Sequence, residues 1–135
     1  MLLPRATGYV TLSGELDAAA RDGLAAALAP LADVDVAIID LGDVSYCDST
    51  AINCLVTLKK RMQDAARGGE VRLVRPTRSV RRILQICGLD SEFSISDSLL
   101  AAGLPSKDDG AMVTYVGNFD AGTLIEDEAF ATGAD

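Results

Sequence analysis

Val34-Asp35-Val36-Ala37-Ile38-Ile39-Asp40-Leu41-Gly42-Asp43-Val44-Ser45-Tyr46-Cys47-Asp48-Ser49-Thr50-Ala51-Ile52 is the stretch on which the fold turns. Val34 to Leu41 is nearly continuous apolar sequence, the mark of a strand covered on both faces. A short polar turn follows, and then the periodicity changes. From Thr50 to Arg67 the apolar positions Ala51, Ile52, Leu55, Leu58, Met62 and Ala65 fall on one helical stripe, with Asn53, Lys59, Lys60, Gln63 and Asp64 mostly outside it. The stretch therefore predicts strand, turn, helix. Ser49 and Thr50 sit where that helix begins, beside free backbone N–H groups and the positive end of the helix dipole. Such a place suits a capping hydroxyl, and it equally suits a phosphate. A phosphate on Ser49 is expected to gain about 0.3–1 kcal/mol from the dipole when exposed, and up to about 2 kcal/mol when partly buried.

Outward from this junction the same alternation repeats. Tyr9–Leu12 reads as a short strand broken by Ser13-Gly14, and Asp17 is a plausible N-cap for a helix over Ala18 to Ala29, limited by Pro30. Gly68-Gly69 supplies a left-handed helix stop, Val71–Val74 is a strand closed by Pro76, and Ser79 caps a helix carrying Val80, Ile83, Leu84 and Cys87 that Gly88 ends. Phe93–Ile95 is a short last strand, and Asp97 or Ser98 caps a short helix through Ala102. Strands alternating with helices at these lengths imply an α/β fold: a single small, mixed but mostly parallel sheet backed by helices, with right-handed crossovers.

Composition narrows the function. A chain of 135 residues is long enough for one well-buried core, and the lack of Trp makes that core aliphatic. The absence of His removes the Ser-His-Asp and Cys-His constellations and every imidazole metal site. Cys47, Cys54 and Cys87 are odd in number and widely spaced, so buried free thiols are expected, with no disulfide framework. The first residues lack a signal-peptide layout and no apolar run reaches the roughly 18 residues of a membrane span, so a cytoplasmic protein is expected. A net charge of −8 argues against nucleic acid. Residues 104–135 hold seven acids against Lys107 alone, six of the eight net negative charges. They are expected to form an acidic, partly mobile C-terminal extension to a domain over residues 1–103, with one patch of strand composition at residues 111–116.

Order and spacing together carry a resemblance. Leu12-Ser13-Gly14-Glu15-Leu16-Asp17 precedes the first helix, and Asp40-Leu41-Gly42-Asp43-Val44-Ser45-Tyr46-Cys47-Asp48-Ser49-Thr50-Ala51-Ile52 leads into the second. Gly68-Gly69, then Ser79-Val80-Arg81-Arg82-Ile83-Leu84 through Gly88-Leu89, complete the set. Over residues 8–103 the chain resembles the STAS domain, most closely the small stand-alone anti-sigma-factor antagonists of bacterial partner-switching systems. The resemblance implies a small sheet backed by helices and a binding role with no catalysis and no cofactor. It implies that Ser49 is phosphorylated by an anti-sigma factor that is itself a serine kinase, that the unmodified form binds this kinase, and that a serine phosphatase resets the switch. Asp17, Asp48, Ser49, Thr50 and Ala51 fall on the implied partner-binding surface. Two departures stand out. Ala51-Ile52 replaces the common Gly-Leu, and only eight residues precede Tyr9 where the family usually has a full strand. Bare sheet edges are costly, so residues 111–116 are expected to pair at that vacant edge, beside Val10–Leu12.

Plainer readings stand beside these. Ser49 and Thr50 serve equally as helix caps, Asp17 as an ordinary N-cap, and Arg78, Arg81 and Arg82 as a solvated face. Asp40, Asp43 and Asp48 suggest a metal site, but backbone turn bonding explains them better. Two other functions compete: a STAS subunit of a transporter or signalling scaffold, without a phosphoacceptor, and a small nucleotide-binding enzyme. Against the enzyme stand the missing G-x-G-x-x-G and G-x-x-x-x-G-K-[ST] patterns.

Overall fold

A computed structural model of the chain describes residues 6–65, 68–98 and 112–122. In chain order these form strand β1 (Ala6–Leu16), helix α1 (Arg21–Leu28), strand β2 (Val36–Cys47), helix α2 (Ser49–Asp64), strand β3 (Glu70–Val74), helix α3 (Arg78–Ile86), strand β4 (Ser94–Ser96) and strand β5 (Met112–Asp120). The strands make one sheet in the order β4-β3-β2-β1-β5. Every described pairing is parallel, so the mixture of directions expected from the sequence is absent among them.

One face of the sheet packs beneath the helices. Val10, Leu12, Ala37, Ile39, Leu41, Val71 and Leu73 from the strands meet Leu24 and Leu28 of α1, Ala51, Ile52, Leu55, Leu58 and Met62 of α2, and Val80 and Leu84 of α3. Fully burying one such aliphatic side chain stabilises by roughly 1.5–3 kcal/mol, so the helices are fixed by their apolar stripes rather than by propensity. The alternate strand positions Val36, Ile38 and Val74, with Tyr9 against them, form a smaller buried group on the other side. That two-sided burial explains why β2 reads as an uninterrupted apolar run.

Several boundaries differ from the sequence reading, each for a local reason. Ser13-Gly14 does not end β1. The strand continues to Leu16 through register shifts between Thr11 and Ser13 and between Gly14 and Glu15, as a bulged strand does. Because β1 runs on, β2 runs on beside it, and the turn expected after Leu41 is strand as far as Cys47. The expected helix over Ala18–Ala29 is divided into a 3-10 turn at Ala18–Ala20, α1, and a second 3-10 turn at Ala29–Asp33 entered through Pro30. Thr77, not Ser79, occupies the cap position of α3, and its hydroxyl donates to the Val44 carbonyl at 3.0 Å instead of capping.

Strand β5 lies on the outer edge of β1, in register from Ala6↔Met112 to Ser13↔Asp120. It extends four residues beyond the patch expected at residues 111–116. Ala111, the helix expected through Ala102 beyond Ser98, and the acidic segments at residues 104–111 and 123–135 lie outside the described residues. No helix among the described residues is long and apolar enough to cross a membrane.

Candidate functional site

The carboxyl ends of β1 and β2 lie side by side, Leu16 opposite Cys47. An aspartate succeeds each strand and caps the helical turn that begins there. Asp17, in extended backbone, accepts from the Ala19 amide at 3.1 Å and starts the first 3-10 turn. Asp48, also extended, accepts from the amides of Thr50 at 2.9 Å and Ala51 at 3.3 Å and starts α2. One hydrogen bond joins the two turns: the Asp48 amide donates to the Leu16 carbonyl at 3.2 Å. The strand register thus brings Asp17 and Asp48 to one rim of the sheet, although 31 positions separate them in sequence.

The capping work falls to Asp48, which leaves Ser49 free of it. Ser49 is the first residue of α2 and is exposed, and its hydroxyl forms no hydrogen bond with the described residues. Thr50, half-buried, faces a groove of about 410 Å³ between α1 and α2 that Arg21, Asn53, Cys54, Thr57 and Arg61 also line. Ala51 is placed differently from the expectation that it belongs to a partner surface. It is 1 % exposed, with its methyl group in the core against the sheet. Its contribution to the rim is the N–H that Asp48 holds. At the junction, where free N–H groups are expected, the Thr50 and Ala51 amides are already taken by the Asp48 carboxylate. A phosphate on Ser49 meets the dipole but also a fixed negative charge one residue away.

The three aspartates of the 40–48 stretch do separate things. Asp40 is buried, with its side chain 3 % exposed, and binds Arg75 through two bonds of 3.2 and 2.7 Å; it also accepts from the Gly42 amide at 2.9 Å and the Tyr9 hydroxyl at 3.1 Å. Burial raises the Asp40 carboxyl, but the bonds from Arg75, Gly42 and Tyr9 outweigh it and hold the group below the usual aspartate range. Arg75 reaches this position from a left-handed backbone, φ 53°. Asp43 is exposed on β2, and Asp48 is the cap. Nothing in the sequence pointed to Asp40–Arg75–Tyr9, because the cluster exists only through the sheet register that places Asp40 opposite Val74.

The thiols behave unequally. Cys47 is buried, and burial, with the neighbouring Asp48 charge, pushes it up to about 12. Cys54 is half-buried and also raised, chiefly by burial. Cys87 is exposed, against the expectation of a buried thiol, because it falls at the C-cap of α3, past the Val80–Leu84 face. Of the arginines on α3, Arg81 pairs with Asp97 at 2.7 Å, and Arg78, Arg81 and Arg82 are all exposed.

This architecture has known counterparts. The STAS domain model matches residues 4–102, and no curated protein matches the chain. The anti-sigma factor antagonist SpoIIAA in its unphosphorylated form superposes with a TM-score of 0.62 at 22% identity, covering 78% of this chain and 96% of that one. The Bacillus cell fate determinant SpoIIAA in its phosphorylated form gives 0.57 at 22%, covering 76% and 92%. A candidate anti-sigma factor antagonist of Thermotoga maritima gives 0.60 at 24%, covering 67% and 78%. At these identities the structural likeness is one of fold. With the family match spanning the sheet from β1 to β4 and helices α1 to α3, the chain belongs to the STAS domain family.

Proposed function

We propose that this chain is an anti-sigma-factor antagonist, a binding module with no chemical step of its own, whose docking to an anti-sigma serine kinase is controlled by phosphorylation of Ser49. The observation that carries the reading is the division of labour at the α2 junction. Asp48 satisfies the helix terminus, so the exposed Ser49 hydroxyl has no structural duty among the described residues and is open to a kinase. Asp17, Asp48, Ser49 and Thr50 form the docking rim. Ala51 supports it from beneath.

The switch needs no change of fold. Phosphorylation adds about −1.5 to −2 charge at a rim that already carries Asp17 and Asp48. A partner fitted to a neutral hydroxyl then faces like charge and an anion that docking must desolvate. Losing one or two polar contacts removes a few kcal/mol, and each 1.4 kcal/mol is about tenfold in affinity. A serine phosphatase restores the neutral surface. The test is to incubate the purified chain with the anti-sigma serine kinases of its source organism and ATP, then map the product by mass spectrometry. One phosphate on Ser49, absent in Ser49→Ala, is the expected result. Phosphate elsewhere, or none with any of these kinases, refutes the reading and leaves a STAS subunit of a transporter or scaffold as the better account.

A further inference from the structure

The strand that leads into the Asp17 turn, β1, is paired along its outer edge with a strand outside the family match, which ends at residue 102. The two residues after β5 bond to the end of β1, just before that turn: the Ala121 amide donates to the Ser13 carbonyl at 2.9 Å, and the Glu15 amide donates to the Gly122 carbonyl at 3.1 Å. Gly14, between those two bonds, has φ 86°, and a Cβ there would stand 2.6 Å from the Gly122 nitrogen and 2.8 Å from its oxygen. The two backbones touch where no side chain fits. On the far side of Asp17, Phe119 lies over Gly23 of α1, where a Cβ would come within 2.6 Å of the ring. Glycine is among the poorest residues for a helix interior, and the space it leaves in α1 is filled by that phenyl ring. β5 and the two residues after it therefore contact the segment 13–23 at both ends, with Asp17 between. The Leu16 carbonyl passes this constraint on to the Asp48 amide and so to the start of α2.

We infer that β5, acting through Phe119 and the Gly14–Gly122 contact, is a positioning element of the docking rim, so that partner affinity depends on a strand the rest of the family match does not include. The inference rests on the docking reading given above. Phe119 is a positioning residue: it acts on a partner only through the place it gives Asp17 and α1. Pre-ordering a binding segment strengthens association because the ordering cost is already met.

The experiment uses the full chain in five forms, wild type, Phe119→Ala, Phe119→Leu, Gly23→Ala and the Phe119→Ala/Gly23→Ala double variant, with Ser49→Asp alongside. Each is titrated with the source organism's purified anti-sigma serine kinase at a temperature where denaturation curves show it fully folded. Amide hydrogen exchange is followed in the free proteins. Phe119→Ala and Gly23→Ala are expected to weaken binding by roughly tenfold and to speed exchange at Asp17–Arg21 by about the same factor. Phe119→Leu, which refills the space, restores most of both. Gly23→Ala added to Phe119→Ala, where the clash is gone, costs no further affinity. Affinity within about twofold of wild type for folded Phe119→Ala overturns the inference, as does unchanged exchange at Asp17–Arg21. A Ser49→Asp chain that binds like wild type brings down the docking reading instead, while the exchange data still decide whether β5 holds the turn.

Discussion

Ser49→Asp, Ser49→Ala and Asp48→Ala should part company when stability and binding are measured side by side. Ser49 is exposed and its hydroxyl has no partner among the described residues, so Ser49→Ala should leave stability within about 0.5 kcal/mol of wild type, as surface substitutions do. Ser49→Asp places a carboxylate at the first position of α2. The helix dipole favours it by about 0.3–1 kcal/mol. The Asp48 carboxylate opposes it: two unit charges roughly 6 Å apart in water repel by about 0.7 kcal/mol. The terms nearly cancel, and the net change should stay below about 1 kcal/mol. Asp48→Ala is different because it strips the acceptor from the Thr50 and Ala51 amides; losing such a cap costs about 1 kcal/mol, with a range of roughly 0.5–2, and lowers Tm by about 4 °C in a domain of this size. Binding should order the variants differently. Ser49→Ala retains the kinase, whereas Ser49→Asp loses at least about 2 kcal/mol, roughly thirtyfold, to charge repulsion and desolvation. Urea denaturation gives the first ranking and calorimetric titration with the kinase gives the second. A Ser49→Ala protein less stable by more than about 1.5 kcal/mol would make the hydroxyl a structural cap after all. Equal affinities for the Ala and Asp variants would remove the charge switch.

Other consequences are open to simpler assays. Asp40→Asn should destabilise by about 2 kcal/mol by weakening charge-assisted bonds to Arg75, Gly42 and Tyr9, and Arg75→Ala should cost more because it strands a buried carboxylate. Since the Asp40 carboxyl is depressed in the folded chain, its contribution is present above the unfolded aspartate value of about 3.9 and is lost as pH falls through the folded value. The urea midpoint should therefore drop below about pH 4, and Asp40→Asn should flatten that limb; an unaltered acid limb would contradict the assignment. Iodoacetamide at pH 8 should label exposed Cys87 in the native chain and reach Cys47, buried and raised to about 12, only on unfolding; mass spectrometry of the labelled peptides decides. Gly14→Ala should lose more stability than Gly68→Ala. Both sites have positive φ, at 86° and 65°, and share a strain of about 1–2 kcal/mol, but only Gly14 also meets the Gly122 backbone.

How much of the molecule was legible in the chain depends on the range of the forces involved. The stripe Ala51, Ile52, Leu55, Leu58, Met62 and Ala65 predicts α2 because helical periodicity is local; the first five are buried, and Ala65 is the exposed C-cap, where the chain has turned extended. The apolar run of β2 was equally plain. The cap was harder, since Asp48, Ser49 and Thr50 are three capping residues in a row. Which one caps depends on where β2 ends, and that is fixed by the bond from the Asp48 amide to Leu16 in another strand. The continuation of β1 past Gly14 was illegible for the same reason, because a bulge is stabilised by its neighbours, here β2 and β5. Asp40 and Arg75 lie 35 positions apart and have no sequence pattern in common. At the site, the residue types were visible. The exposure of Ser49 and the burial of Ala51 required the packing of α2 on the sheet.

The pairing of Ala6 with Met112 fixes an order of events during synthesis. β1 is flanked on one side by β2, the strand that succeeds it, and on the other by one made more than a hundred residues later. Until β5 emerges, the nascent domain carries an open row of peptide groups along β1, a template for pairing with other chains. Growth conditions or truncations that delay or remove β5 should therefore favour aggregation of a domain whose other described strands are already made.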